Sequence, residues 1–311
     1  MRIAVYFNPR ARQGEQIAAL REKIGSDQID WIDLQTEAEL PLSLSRAVAA
    51  GVERVIAAGG DGTVSAVTQA MAQLERPVPM GILPLGTGND FSRTLRLPMD
   101  LEQAWEICLN GRILPIDLMR LRTNAPQSGP PYAVNMITAG NSGVFLDLLT
   151  DEMKKQWGPL CYARGLLDVV WNLTAFEADV WIDEEQLETR RWLNLFIANG
   201  SYSGGGMTVS PQADPADGLF EFVAIEDGPP LDLAALPANY LLGEMENHQL
   251  VTHRRGSRLR MAGSAAWPCT ADGEFFEATD LDVEVLSQRV RFLVPNPAEE
   301  GADISAIEPS A

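Results

Sequence analysis

The chain has 311 residues, 46% of them hydrophobic, with 24 lysines and arginines against 43 aspartates and glutamates, a formal charge of −19. This length predicts two domains, and the negative balance argues against nucleic acid or an acidic membrane as a partner of the whole surface, so that any approach to lipid needs a local patch. Cys108, Cys161 and Cys269 are widely separated and lack metal-ligand spacing, no apolar run reaches the roughly 18 to 20 residues of a membrane span, and Met1-Arg2 leads straight into a strand, which together predict a cytoplasmic protein.

Ile3 to Phe7 reads as a first strand, and Asn8-Pro9 ends it, because proline cannot donate to a ladder and restricts the residue before it. In the loop that follows, Arg10-Ala11-Arg12-Gln13-Gly14, the two arginines either neutralise phosphate or are simply solvated. Ile17, Leu20 and Ile24 mark a helix face, Ile29 to Leu34 a second strand, and Leu44, Val48 and Val52 another helix face. Val55 to Ala58 is a buried strand that runs into Gly59-Gly60-Asp61-Gly62-Thr63, after which Val64, Val67, Met71 and Leu74 share a helix face. A strand, a glycine turn and a helix in this order present backbone N–H groups and a positive helix end to phosphate, with glycines allowing close approach; the plainer alternative is a tight turn at Asp61-Gly62.

Met80 to Pro84 is a further strand, followed by Leu85-Gly86-Thr87-Gly88-Asn89-Asp90-Phe91-Ser92-Arg93, a second glycine-broken loop in which Asp90 or Ser92 is placed to cap a helix. Strict alternation of strand and helix predicts a parallel sheet covered on both sides, with the two glycine loops facing one crevice. Leu101, Ala104, Trp105 and Cys108 continue this layer, and Asn110-Gly111 reads as a helix stop. From Thr123 to Pro131 the chain is rich in Pro, Ser and Gly, and beyond it strands predominate. Phe176 to Asp183 alternates as a half-exposed antiparallel strand does, and Trp192 to Ala198, Leu219 to Ile225, Leu259 to Met261, Leu281 to Leu286 and Val290 to Val294 are further strand candidates. Two helices interrupt them, near Pro159 to Leu173 and Leu231 to Leu242. The second domain is therefore expected to be a β-sandwich.

GGDGT followed by PLGTGNDFSR resembles the catalytic domain of the diacylglycerol kinase superfamily, in particular its bacterial soluble lipid kinases, over roughly residues 1 to 295. GGDGT alone is shared with NAD kinases, and PLGTGNDF separates the two. Asn135 to Gly143, the series Lys154, Gly158 and Tyr162, Asn199 with Gly204-Gly205-Gly206, and Pro211 to Leu219 extend the resemblance. It implies an α/β nucleotide-binding domain over residues 1–125, completed by a returning strand within 288–297, a β-rich lipid-substrate domain over 126–287, and a disordered tail over 298–311. The first loop departs from the family's Asn-Pro-x-Ser-Gly form, and Ala66 stands where the family usually has a glutamate.

What the resemblance implies for chemistry is ATP- and Mg²⁺-dependent phosphoryl transfer to a lipid hydroxyl, by a protein that visits the membrane from the water side. ATP is expected against Asn8, Pro9 and Arg10, Thr36, the run Gly59, Gly60, Asp61, Gly62, Thr63, Val64 and Ser65, and Thr87, Asn89 and Asp90. Asp61 suits Mg²⁺, which takes one or two carboxylates together with substrate oxygens. Glu274, in the family's Asp-Gly-Glu element, is the implied proton acceptor with Asp272 beside it; a hairpin turn at Asp272-Gly273 is the plain alternative. Asp214, Asp217 and Leu219 match a structural magnesium loop, whose alternative is an Asp-Gly turn opening a strand. His253-Arg254-Arg255 with Arg258 and Arg260 is either a solvated strand face or a patch for anionic lipid headgroups. An NAD kinase and a nucleotide-binding regulatory protein without turnover are the rival functions, and dimerisation, a homodimer included, is left open.

Overall fold

Ile3-Ala4-Val5-Tyr6-Phe7 is buried on both faces but for its last residue, as a strand inside a parallel sheet must be, and it forms β1 (Ile3–Phe7). In the computed structural model, which describes residues 1–25, 28–37, 39–124, 129–141, 173–188, 191–241 and 248–296, the chain divides into two units, Met1–Ile116 with Arg289–Ala311, and Asp117–Gln288.

In the first unit β1 lies between β2 (Ile29–Asp33) and β3 (Arg54–Gly59), and β3 pairs with β4 (Met80–Pro84), every pair parallel. The chain's last strand enters beside β4, also parallel, at Phe292 opposite Met80. Helices α1 (Glu15–Ile24), α2 (Leu40–Ala49) and α3 (Asp61–Met71) link the four strands, and α4 (Asp90–Thr94) and α5 (Leu101–Asn110) follow. Period-two alternation sends Ile3, Val5, Ile56, Ala58 and Leu83 into one cluster with Leu20 of α1 and Ala104 and Trp105 of α5. The intervening Ala4, Tyr6, Val55 and Ala57 are equally buried, and Tyr6 Oη lies 3.2 Å from Ser43 Oγ of α2.

One helix end differs from expectation, and the stop expected at Asn110-Gly111 is where α5 ends. Neither Asp90 nor Ser92 caps α4: the N-cap is Asn89 at φ 52°, with Asp90 the first helical residue and no side-chain cap bond. Asparagine tolerates this left-handed conformation, and its amide is occupied in closing the preceding loop. Gly111 ends α5 in an extended conformation, φ −63° and ψ 158°, and leads directly into β5 (Arg112–Arg122), a strand that the sequence reading did not find.

The second unit is antiparallel. Its strands are the end of β5, β6 (Tyr132–Ala133), β7 (Met136–Gly140), β8 (Phe176–Glu177), β9 (Asp179–Ile182), β10 (Glu185–Gln186), β11 (Arg191–Ala198), β12 (Tyr202–Ser203), β13 (Met207–Thr208), β14 (Phe220–Glu226), β15 (Val251–Gly256), β16 (Arg258–Ala271) and β17 (Glu274–Val294), the last of which ends in the first unit. β15, β14, β11, β7, β16 and β17 are neighbours in that order. A register shift between Ala262 and Trp267 lets β16 change partners, pairing with β9 before the break and with β7 after it. The sheet folds over a core that includes Trp192, Phe222, Trp267 and Phe276. Leu281 to Leu286 and Val290 to Val294 are one strand of 21 residues, and Leu259 to Met261 begins one of 14. The expected helix near Leu231 is Pro230–Leu241. The expected helix over 159–172, the Lys154, Gly158 and Tyr162 series and the tail over 298–311 lie outside the described residues.

Candidate active site

β1, β3 and β4 end side by side, and the loops that leave them meet. The amide of Asn8 donates to Ala58 O at 3.0 Å, that of Leu85 to Gly59 O at 2.9 Å, and that of Gln13 to Leu85 O at 3.2 Å. Gly60 and Gly86 touch backbone to backbone, so that a Cβ on Gly86 would lie 2.5 Å from Gly60 Cα and 2.9 Å from Asn89 Oδ1. Only glycine permits that approach. Asn89 closes the second loop on itself, accepting from Gly86 N–H at 2.9 Å and donating to Gly86 O at 3.0 Å.

A cavity of about 490 Å³ opens where these loops converge, walled by Asn8, Gly60, Gly62, Thr63, Gly86 and Thr87, with Arg12, Glu37, Leu40 and Ala66 completing it. α3 starts at Asp61 behind an N-cap glycine that offers no side chain; the Thr63 and Val64 amides donate to Gly60 O, which leaves those of Asp61 and Gly62 for an anion. Asp61 is thus the first residue of a helix rather than part of a hairpin turn, and its Oδ1 lies 3.4 Å from the Phe91 amide.

Several residues expected against the nucleotide lie elsewhere. The side chains of Val64 and Ser65 are buried within α3; the Val64 amide donates to Gly60 O, and the Ser65 hydroxyl accepts from Gln69 Nε2. Helical periodicity, which turns a residue three positions past the cap into the core, accounts for this. Thr36 donates its hydroxyl to Asp33 O at 3.0 Å and so closes its own turn. Asn89 and Asp90 are buried, and Asn89 shapes the loop instead of lining the cavity. Pro9 borders a different cavity, and Arg10 lines neither, whereas Arg12 is the one cation on the nucleotide-sized cavity among the described residues.

In the second unit Asp272 and Gly273, at φ 48° and 88°, form the two-residue turn between β16 and β17, with Ala271 opposite Glu274. The turn reading is therefore realised, and Asp272 has a task within it. Its carboxylate accepts from the amides of Val134 at 2.8 Å, Asn135 at 2.9 Å and Met136 at 3.0 Å, which fixes the hairpin to the start of β7. A carboxylate so occupied anchors the turn. Glu274 is exposed, next to Phe275 at 67% exposure.

The Asp214 to Leu219 loop folds around an acid that the sequence reading missed. Asp117, fully buried in β5, accepts from Gly218 N–H and Gln288 N–H, both at 2.6 Å, while its own amide donates to Pro215 O. Burial pushes its carboxyl above the ordinary aspartate range, the two amides pull it down, and Asp217 and Asp214 push it up again. A lone acid inside the apolar run Ile116-Asp117-Leu118-Met119 was the available signal.

The expected magnesium ligands Asp214, Asp217 and Leu219 do lie in one loop, as oxygen donors suited to a hard cation. The resemblance implies the Asp217 carboxylate and the main-chain oxygens of Asp214 and Leu219 as donors; here Asp217 Oδ1 accepts from Leu219 N–H, its Oδ2 meets Arg255, and the side-chain Oδ1 of Asp214 accepts from Ala216 N–H. Among the described residues no group of three His, Cys, Asp or Glu is arranged to hold a metal ion. Such a group would bind through side chains, whereas the expected site uses one carboxylate and two main-chain oxygens, and in this structure Arg255 is the charge partner of Asp217.

Residues 2–121 match the family described as diacylglycerol kinase catalytic domain, and residues 135–294 match the family described as YegS C-terminal NAD kinase beta sandwich-like domain. A probable lipid kinase YegS-like of Xanthomonas oryzae pv. oryzae is 28% identical over 293 residues, covering 90% of this chain and 92% of its own. A diacylglycerol kinase of Bacillus subtilis is 25% identical over 250 residues, 80% of each chain. In fold, the crystal structure of a putative diacylglycerol kinase from Bacillus anthracis superimposes with a TM-score of 0.74 at 20% identity, over 96% of both chains. A probable lipid kinase YegS-like of Xanthomonas axonopodis pv. citri is 31% identical over 218 residues, 67% of this chain and 69% of its own, and the chain therefore belongs to the YegS-like lipid kinases, with a diacylglycerol kinase catalytic domain at residues 2–121 ahead of the YegS-type β-sandwich-like domain.

Proposed function

We propose that the protein is a lipid kinase that uses ATP to phosphorylate a lipid hydroxyl, with diacylglycerol as the first acceptor to test. The observation that carries this reading is the backbone contact of Gly60 with Gly86, which brings two glycine loops and the open amino end of α3 onto one cavity. Such a cavity favours a chain of phosphates. The amides at the start of α3, the hydroxyls of Thr63 and Thr87 and the guanidinium of Arg12 would hold the triphosphate there. A magnesium ion arriving with the nucleotide would supply charge neutralisation, and Asp61, at the start of α3, is the carboxylate we assign to engage it, directly or through water.

Phosphoryl transfer leaves little covalent chemistry to the protein. As the lipid oxygen bonds to the γ-phosphorus, the bond from that phosphorus to the β–γ bridging oxygen breaks, ADP departs with the electron pair, and the hydroxyl proton passes to Glu274. An alcohol releases its proton late, so the position of Glu274 matters more than its basicity. Asp272 contributes by holding the turn from which Glu274 projects. The exposed ring of Phe275 beside Glu274 favours an acceptor with an apolar body. Among the described residues no helix is long and apolar enough to cross a membrane, so the reading has the protein meet its lipid from water.

The rival is an NAD kinase, which the sandwich domain's description keeps in view. Transfer of the ATP γ-phosphate to mixed micelles of diacylglycerol, monoacylglycerol, sphingosine and phosphatidylglycerol, with NAD in a parallel tube and Glu274→Gln beside the wild type, decides between them. Labelled lipid that disappears with Glu274→Gln is expected. Label on NAD alone would transfer the function to the rival, and nucleotide binding without any product would leave a regulatory protein.

A further inference from the structure

The basic cluster that the sequence places at residues 253 to 260 separates in three dimensions. Arg255 is committed to Asp217 and to the buried Glu221, with Nε 2.6 Å from Glu221 Oε1, and His253 Nε2 lies 2.8 Å from Glu221 Oε2. Arg258 and Arg260 go elsewhere. They join Arg120 and Arg122 of β5 and Trp181 of β9 in lining a cavity of about 650 Å³ within the second unit, inside the size range of small-ligand sites.

Strand geometry explains the grouping. Arg258 and Arg260 are two residues apart on β16, Asp282 and Glu284 two apart on β17, and Arg120 and Arg122 two apart on β5, so each pair shares one sheet face. The register sets Arg260 opposite both Trp181 and Asp282, and Arg258 opposite Glu284. The intervening Leu121, Leu259 and Val283 point into the core. The arginine-bearing face is thus fixed by the same alternation that builds the sandwich.

Charge on this face is only partly balanced. Glu284 pairs with Arg120 and lies 3.6 Å from Arg258, and these arginines, with Arg122 behind them, hold its carboxyl below the usual glutamate range. Arg260 lies over the Trp181 ring at 5.2 Å instead of on Asp282. Among the described residues neither Arg122 nor Arg260 has a carboxylate within 4 Å, and Arg120 Nε is buried without a hydrogen-bond partner. A buried donor without an acceptor calls for an explanation, and an absent oxyanion supplies one. Guanidinium forks match phosphate oxygens two at a time.

We propose that this cavity is a binding site for a phosphate-bearing group, held by Arg122 and Arg260 with Arg120 Nε beneath, and separate from the glycine-loop cavity. Glu184 and Asp282 also line the cavity and oppose an anion near them, so the arginine-bearing part is where the phosphate would sit. A phospholipid headgroup and a small soluble phosphate ester share this chemistry.

The test compares the wild type with Arg122→Ala/Arg260→Ala, two exposed arginines outside any ion pair among the described residues, and with Arg254→Ala, an exposed arginine that does not line the cavity. Glycerol 3-phosphate is titrated by calorimetry, and retention is measured on phosphatidylcholine vesicles with and without phosphatidylglycerol. The expected result is binding that falls about thirty-fold in the double variant, from the usual strength of two arginines at an anionic surface, and stays unchanged in Arg254→Ala. Loss on phosphatidylglycerol vesicles identifies a headgroup, and loss with glycerol 3-phosphate alone identifies a soluble ester. Equal behaviour of double variant and wild type in both arms, or no binding in either, overturns the proposal. Should the double variant unfold, Arg122→Ala alone carries the comparison.

Discussion

Asn in place of Asp272, set against Gln in place of Glu274, separates the two acids of the β16–β17 turn. The Asp272 carboxylate accepts three main-chain amides, two on Oδ1 and one on Oδ2. An asparagine keeps one accepting oxygen and turns an NH₂ group toward at least one of these amides, while the remaining bonds lose their charge. Hydrogen bonds to a charged partner contribute about 1.5–3 kcal/mol each, and a stranded buried donor costs about 1–3 kcal/mol. Partial relaxation brings the expected loss to roughly 2–4 kcal/mol, or about 5–15 °C in Tm for a domain of this size. Glu274 is exposed and lies outside this network, so Glu274→Gln should leave Tm within about 2 °C, as surface substitutions do. Circular dichroism melts and lipid phosphorylation measured well below both transitions test the pair. The expected pattern is an unstable Asp272→Asn protein that retains much of its turnover when cold, and a stable Glu274→Gln protein that has lost it. An Asp272→Asn protein with the wild-type Tm and the kinetic defect of Glu274→Gln would refute the anchoring role.

The glycine loops give a second contrast. Gly86→Ala drives a Cβ to within 2.5 Å of Gly60 Cα, an overpacking of about 1–3 kcal/mol, whereas a Cβ on Gly62 meets nothing within 4 Å. Gly86→Ala should therefore lower both Tm and ATP affinity, and Gly62→Ala should keep Tm while weakening ATP, as differential scanning fluorimetry and fluorescent-nucleotide titration would report. Arg12→Ala should weaken ATP roughly ten-fold while leaving adenosine unchanged and flattening the salt dependence of ATP binding, with Arg10→Ala neutral in the same titration. Asp117, whose carboxyl is raised by burial, binds its proton more tightly in the folded chain than in the unfolded one. Its contribution to stability is present below the ordinary aspartate value and is lost as pH rises through the raised value. A series of melts across roughly pH 3 to 7 should show Asp117→Asn lacking that component; parallel curves for the two proteins would contradict it.

The first unit was open to reading because two periods dominate it. Val55 to Ala58 and Met80 to Pro84 are short apolar runs that only a sheet covered on both faces can bury, and Ile17, Leu20, Leu44 and Val48 recur at helical spacing between them. The second unit was harder for reasons that lie in its pairing. β5 was overlooked because its polar residues follow no single alternation: Arg120 and Arg122 face a cavity while Asp117 is buried in a turn network. β17 was divided at Ser287-Gln288 because a polar pair usually ends a strand. Here Gln288 takes φ 54° and gives its amide to Asp117, and the strand continues.

Site residues followed a similar division. Gly60, Gly62, Thr63, Thr87 and Asn8 line one cavity, because a glycine loop restricts what its backbone can do, and backbone geometry survives from sequence to structure. Val64, Ser65 and Asn89 do not line it, because contiguity in a motif does not distinguish a residue that faces the cavity from one that shapes the loop. Arg12 and Ala66 stand where the family pattern is broken, and both line the cavity. A methyl group at Ala66 leaves the cavity wall without the family's negative charge, and Arg12 adds a positive one. Both departures raise the local potential in the same direction, so their effects add, and under the proposed function they strengthen the hold on a phosphate chain. Ala66→Glu should then weaken ATP binding in a fluorescent-nucleotide titration, as Arg12→Ala does, and the double variant should bind more weakly than either; a double variant no weaker than the single ones would contradict this reasoning.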